Sequence, residues 1–173
     1  MHLGLAEWIV LSVIDERPVH GFAVAALTAR DGELGRVWHL PRPVVYRALG
    51  RLLEAEMVRP DAVESEAGPQ RTVYASTPLG HREAEKWLQT PVEHVREMRS
   101  HFLVKLALLD RRRGDPAPVL AQQRETLATI ARALDSEAAR HTGFDAVLFS
   151  WRRATTASAL DFVEDLSRAS TTR

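Results

Sequence analysis

The stretch Arg36–Val58, RVWHLPRPVVYRALGRLLEAEMV, decides how the chain is read. From Gly35 to Leu53 it holds four arginines (Arg36, Arg42, Arg47 and Arg51), the histidine His39 and no acidic residue. Pro41 and Pro43 mark a helix start, because proline presets the helical φ and the first turn needs no amide donor. Behind them Val44, Val45, Ala48, Leu49, Leu52 and Leu53 recur near the 3.6-residue period. The spacing predicts a helix from about Arg42 to Ala55, with one face packed inward and the arginines outside. Such a helix suits insertion into a DNA major groove; an ordinary amphipathic helix with a solvated face shows the same pattern.

The flanks give this helix a context. Leu3–Asp15 is apolar at Leu5, Trp8, Ile9, Leu11, Val13 and Ile14, which predicts a first helix stopping before Pro18. Val19-His20-Gly21 reads as a turn, and Phe22–Arg30 as a second short helix ended by Asp31-Gly32. Met57–Glu64 and Gln70–Ser76 alternate apolar and polar residues, and Ser65–Pro69 between them has the composition of a hairpin tip. Pro60 cannot donate a ladder hydrogen bond and so suits an edge strand. Thr77 is an N-cap with Pro78 at the first helical position, opening a helix through Leu88. Helix, helix, helix, hairpin, helix is the order of a winged helix-turn-helix, expected over residues 1–89.

Gln89-Thr90-Pro91 separates a wholly helical region, residues 90–173. Val92–Arg113 carries Val95, Met98, Phe102, Leu106 and Leu109 on one stripe. Arg111-Arg112-Arg113 before Gly114 reads as a helix stop, with cations at the negative dipole end and glycine at C′; a phosphate-binding patch is the alternative. Asp115 and Pro116 open another helix, with Leu120, Leu127 and Leu134 at seven-residue spacing. Gly143 breaks it. The last helix, Phe144–Arg168, repeats the theme with Phe144, Val147, Leu148, Trp151, Ala159, Phe162 and Leu166. These faces exceed what a small winged domain covers, so pairing with a second copy is expected, through Phe102, Leu106, Trp151, Phe162 and Leu166. The fold class is mainly α with a small β-hairpin: a DNA-binding winged domain, then a helical dimerisation and effector domain.

Composition limits the function. The 173 residues carry 23 basic and 23 acidic side chains, so any polyanion partner must be held by local charge. Residues 1–90 contain ten Arg or Lys against twelve Asp or Glu, which makes the acid-free stretch more telling. Without cysteine there is no disulfide scaffold, thiolate zinc site or thiol nucleophile. The apolar run Trp8–Ile14 lacks a basic flank, and no stretch approaches ~20 apolar residues, so no membrane span and a cytoplasmic location are expected. No phosphate loop, nucleophile elbow or HExxH motif argues for an enzyme, and no catalytic residue is assigned. His94, Glu97 and His101 fall at i, i+3 and i+7, but no further histidine or carboxylate is visible to complete a site. No metal or cofactor is expected. The four tryptophans, Trp8, Trp38, Trp87 and Trp151, suit core and interface packing. The alternative is an aromatic slot for a flat ligand, for which Trp8, Phe102 and Trp151 are the candidates.

The chain resembles the PadR family of bacterial transcriptional regulators. His20-Gly21-Phe22 is similar to the family's His-Gly-Tyr/Phe at the second helix. Trp38 followed by Pro41-Arg42-Pro43-Val44-Val45-Tyr46-Arg47-Ala48-Leu49 resembles its recognition element. Gly68-Pro69-Gln70-Arg71-Thr72-Val73-Tyr74 and Thr77-Pro78-Leu79-Gly80 resemble its wing and the helix that follows. Phe102-Leu103-Val104-Lys105-Leu106 is similar to its C-terminal Phe-x-x-Lys-Leu. The resemblance implies a winged helix, a helical dimerisation region, operator binding by a two-fold dimer, and repression relieved by a small aromatic or cationic ligand. Three positions depart from it: Pro43 stands at a usual glycine, Val44 at a usual hydroxyl, and Glu56 at the glycine after the recognition helix. Glu64 and Glu66 at the wing tip would be repelled by phosphates.

Arg42 and Arg47, one turn apart at the helix start, are the first candidates for DNA contact, since arginine binds guanine O6/N7 bidentately or binds phosphate. Arg51 is a further turn along and suits phosphate. Arg71 suits the minor groove or its flanking phosphates, and Arg36 and His39 the backbone. Tyr46 resembles the family tyrosine whose hydroxyl reaches phosphate, and Val44 occupies a contact position of the family. The expected function is a homodimeric repressor acting on double-stranded operator DNA; the alternative is a winged-helix protein that acts through a protein partner.

Overall fold

Helix α1 (Leu5–Glu16) organises the N-terminal part of the computed structural model, which describes residues 3–64, 71–137 and 142–171. Ile9, Val10, Leu11, Val13 and Ile14 are all buried. The helix packs against α2 (Gly21–Leu27), α3 (Arg42–Glu54), strand β3 (Arg71–Ser76) and α5 (Leu103–Arg111). At about 1.5–3 kcal/mol per fully buried aliphatic side chain, this single helix supplies a large share of the local core. The Glu7 carboxylate caps its first turn, accepting the Gly4 amide at 2.9 Å. From α3, Val45, Ala48, Leu49 and Leu52 are buried, as the periodicity predicts.

Strands β1 (Val19–His20), β3 and β2 (Val58–Glu64) form one antiparallel sheet in the order β1-β3-β2. The segment read as a turn at Val19-His20 is thus a third strand, paired Val19 to Tyr74 and His20 to Val73. Two residues show no alternation, so nothing in the sequence marks them. Pro60 lies on the edge strand β2, beside a register irregularity between Pro60 and Ala62. The expected hairpin tip, Ser65–Pro69, lies outside the described residues. Helix α2 stops at Leu27, three residues short of expectation, where the Thr28 hydroxyl bonds back to the Val24 carbonyl at 3.0 Å. Thr77 caps α4 (Pro78–Gln89), accepting the Gly80 amide at 3.1 Å. These elements make a winged helix-turn-helix.

Two helices end in the same left-handed device. After α3, Glu56 has φ 56°, with the Glu56 amide donating to the Leu53 carbonyl and the Met57 amide to that of Leu52, both at 3.0 Å. After α5, Arg113 has φ 52°, and Gly114 donates to the Leu109 carbonyl at 2.9 Å. The left-handed residue is Arg113, so Gly114 occupies C″ rather than the expected C′.

The chain forms two compact units, Met1–Leu88 with Leu103–Gly114, and Gln89–Phe102 with Asp115–Arg173. The first crossing falls between Leu88 and Gln89, beside the division expected at 89/90, and α5 returns to the N-terminal unit. The cause is polar anchoring: Lys105 lies over the Trp87 ring at 4.7 Å, and Arg111 and Arg112 bind carboxylates of α1. The single helix expected over Val92–Arg113 is divided into a 3-10 turn (Val95–Glu97), a π-helical turn (Met98–Phe102) and α5.

In the second unit, α6 (Ala117–Glu137) packs along α7 (Gly143–Thr171), burying Leu120 and Leu127 from one and Phe149, Thr156 and Val163 from the other. Gln123 is fully buried and pairs with the Val92 peptide, accepting its amide at 2.7 Å and donating to its carbonyl at 3.0 Å.

Two stability measurements follow from these contacts. Glu56→Gly raises stability by about 1 kcal/mol in urea denaturation, because glycine carries no Cβ penalty in the left-handed region; a loss would contradict the strain assigned there. Gln123→Leu leaves a buried amide and carbonyl unpaired and lowers stability by about 1–3 kcal/mol; an unchanged midpoint would refute the role of that pair.

Candidate nucleic-acid interface

The face of α3 opposite its buried side carries Arg42, Tyr46 and Arg47, all exposed, with Val44 half-buried. Helix α3 therefore presents its cations to solvent while its aliphatic residues hold it against α1 and α2. Arg36 is also exposed on the loop before it.

The motif His20-Gly21-Phe22 shapes the ground beside this helix start. His20 caps α2, its Nδ1 accepting the Ala23 amide at 3.0 Å. Gly21 is buried with the Tyr46 ring so close that an added Cβ would sit 3.0 Å from it, which explains why a residue without a side chain stands there. Phe22 remains 46% exposed and carries two guanidinium groups, Arg42 at 5.3 Å and Arg71 at 5.0 Å from the ring centroid. Arg42 also lies 5.6 Å from the Tyr46 ring. Two arginines distant in sequence, one from α3 and one from β3, thus meet over one ring. Periodicity could not single out Phe22; the only sequence signal was the family-like tripeptide.

Other candidates have different positions. Arg51 is held by Glu7 at 2.7 Å, a carboxylate only 8% exposed, so its guanidinium neutralises the buried end of α1 as well as facing solvent. The His39 ring bonds the Thr28 carbonyl through Nδ1 at 3.1 Å, which fixes the loop before α3. Arg111 and Arg112 form no phosphate patch. Arg111 binds Glu16 through two nitrogens, at 3.1 and 2.8 Å, and also pairs with Glu33. Its hydrogen bond to Glu16 holds the guanidinium above its ordinary pKa against the opposing effect of burial, and the charges of Glu16 and Glu33 add to this. Arg112 binds Asp15 at 3.1 Å and Glu85 at 2.6 Å. The side chains of Glu64 and Glu66 lie outside the described residues.

The dimer and ligand candidates separate. Trp151 and Phe162 are exposed on α7, Leu166 is half-buried there, and Leu106 is half-buried on α5 in the other unit. Phe102 is fully buried, so as folded its ring offers no surface to a partner or a ligand. The face of Trp8 is occupied by Trp87, stacked at 5.4 Å with 7° between the planes. The helical face imagined for His94, Glu97 and His101 does not form, because the backbone there is 3-10 and then π-helical. Among the described residues no helix is long and apolar enough to cross a membrane.

Comparison with solved structures finds similarity to Bacillus subtilis PadR in complex with operator DNA, with 14% identity, TM-score 0.47 and 96% of each chain covered. Similarity to smu.1604c from Streptococcus mutans UA159 covers 92% of this chain and 96% of that one, at 15% identity and TM-score 0.45. For the PadR-like transcriptional regulator BC1756 from Bacillus cereus the coverage is 96% and 98%, at 13% identity and TM-score 0.42. No curated protein matches the chain in sequence. The description "Transcriptional regulator PadR-like family" matches residues 10–86, from the middle of α1 to the end of α4. Residues 10–86, the winged helix with its exposed arginine face, are thus similar to the transcriptional regulator PadR-like family.

Proposed function

We propose that the chain is a cytoplasmic, homodimeric repressor that binds operator DNA through α3 and the wing and is released by a small aromatic or cationic ligand. The observation that carries the DNA reading is the exposed Arg42, Tyr46 and Arg47 on the face of α3 turned away from its buried residues. A helix held so, with arginines at its N-terminal end, offers bidentate donors to base edges and phosphates. The match of residues 10–86 to a family of transcriptional regulators supports the same partner.

Dimerisation is supported by α7, where Phe144, Val147, Leu148 and Trp151 are exposed within two turns and Phe162 lies further along. Trp151 and Val147 line an open groove with Ala146, Ser150 and Ala154. A contiguous apolar stripe of this kind marks an interaction surface rather than a solvated one. Repression, and its relief by a ligand, rest on the family resemblance.

Two measurements check these assignments. In a gel shift with the DNA upstream of its own gene, Arg47→Ala weakens binding by about 1–3 kcal/mol at fixed salt and keeps the wild-type melting temperature. Arg51→Ala, in contrast, lowers the melting temperature, because it leaves Glu7 buried and unpaired. Equal binding by Arg47→Ala would remove it from the interface, and a wild-type dimer that shifts no fragment would favour a protein partner. Trp151→Glu converts the dimer to monomer in sedimentation velocity; an unaltered dimer would exclude the α7 stripe as the interface.

A further inference from the structure

We propose that the cavity between the starts of α2 and α3 and strand β3 is a seat for a phosphate of the DNA backbone, and that Phe22 positions the two arginines that grip it. This rests on the DNA-binding proposal above. The cavity measures about 400 Å³, and its lining among the described residues includes His20, Phe22, Arg42, Tyr46, Arg71 and Tyr74, with no acidic side chain in that set. Arg42 and Arg71 both stand over the Phe22 ring, so their guanidinium carbons are within about 10 Å of each other.

The guanidinium groups that tie α3 and α5 to α1 each have a carboxylate: Arg51 has Glu7, Arg111 has Glu16 and Arg112 has Asp15. Arg42 and Arg71 have an aromatic ring in that place and no carboxylate partner among the described residues. The described lining is cationic and aromatic, which suits an external anion; Glu64, the ladder partner of Arg71, has its side chain outside the described residues. A guanidinium held by its face on a ring keeps its N–H edge for an oxyanion, and its restricted rotamers reduce the entropy lost on binding. His20 adds a neutral donor: its Nδ1 accepts the Ala23 amide, which puts the ring proton on Nε2. The two arginines come from α3 and the wing strand β3, the elements proposed above to meet DNA, so the anion they share is a backbone phosphodiester.

Phe22 is a positioning residue, and its test is a double-mutant cycle read by fluorescence anisotropy on a labelled duplex of about 30 base pairs and random sequence, over about 50–300 mM NaCl. Phe22→Leu weakens binding about ten-fold at every salt with a slope parallel to wild type, whereas Arg42→Ala and Arg71→Ala each reduce the slope by about two, one for each protomer of the dimer. Phe22→Tyr stays within about two-fold of wild type. In the Arg42→Ala/Arg71→Ala background, Phe22→Leu has no further effect. Wild-type affinity in Phe22→Leu, a Tyr variant as weak as Leu, or the same ten-fold loss without the arginines would each overturn the seat. Replacing chloride by inorganic phosphate at equal ionic strength leaves affinity unchanged; a loss seen in wild type and absent in Phe22→Leu would assign the seat to free phosphate instead. A wild-type protein that binds no duplex at the lowest salt overturns the DNA-binding reading itself.

Discussion

The N-terminal unit depends on neutralising the carboxylates of its central helix. Helix α1 is apolar on most of its circumference, yet it carries Glu7 in its first turn and Asp15 and Glu16 in its last. Glu7 sits where the helix dipole favours an anion and is held by Arg51 and by the Gly4 amide. Asp15 and Glu16 sit at the opposite end, where the dipole disfavours them. Asp15 is 2% exposed and accepts from Arg112 and from the Ser76 hydroxyl, while Glu16 is gripped by Arg111. Pairs of this kind add little net stability over an apolar replacement, but loss of one partner strands a buried charge and costs about 3–5 kcal/mol. They therefore fix α5 on the unit more by specificity than by strength.

This sorting of arginines also explains how a chain with zero net charge presents a cationic surface. Arginines whose carboxylate partners are built in serve the fold. Arg42 and Arg47 on α3, and Arg71 on β3, have none among the described residues and remain exposed. The acid-free run from Gly35 to Leu53 is the sequence-level trace of that arrangement, although Arg51 inside it belongs to the structural set.

The period of α3, the Thr77 cap, the edge position of Pro60 and the helical C-terminal region were legible in the sequence, because each rests on local spacing or on one residue's chemistry. Strand β1 was not, since a two-residue strand exists only through its pairing with β3. The return of α5 to the first unit was equally hidden: Arg111 and Arg112 look like a helix stop until Asp15 and Glu16, almost a hundred residues earlier, are placed beside them. Arg42 and Arg47 lie where the α3 pattern placed them, on the exposed face, and Tyr46, which the pattern did not assign, is exposed beside them. Phe22, the centre of the candidate site, escaped because its role comes from two arginines brought together in space. For Phe102 and Trp8, apolar residue type alone could not distinguish a filled core position from an open slot.

The central claim is that a locally cationic face on a neutral protein binds double-stranded DNA. Its most direct test is the salt dependence of wild-type binding to the duplex upstream of its own gene. With three or four free arginines per protomer in a dimer, log K should fall linearly with log salt at a slope of about −5 to −7. A slope near zero, or no binding with the dimer intact, would contradict it.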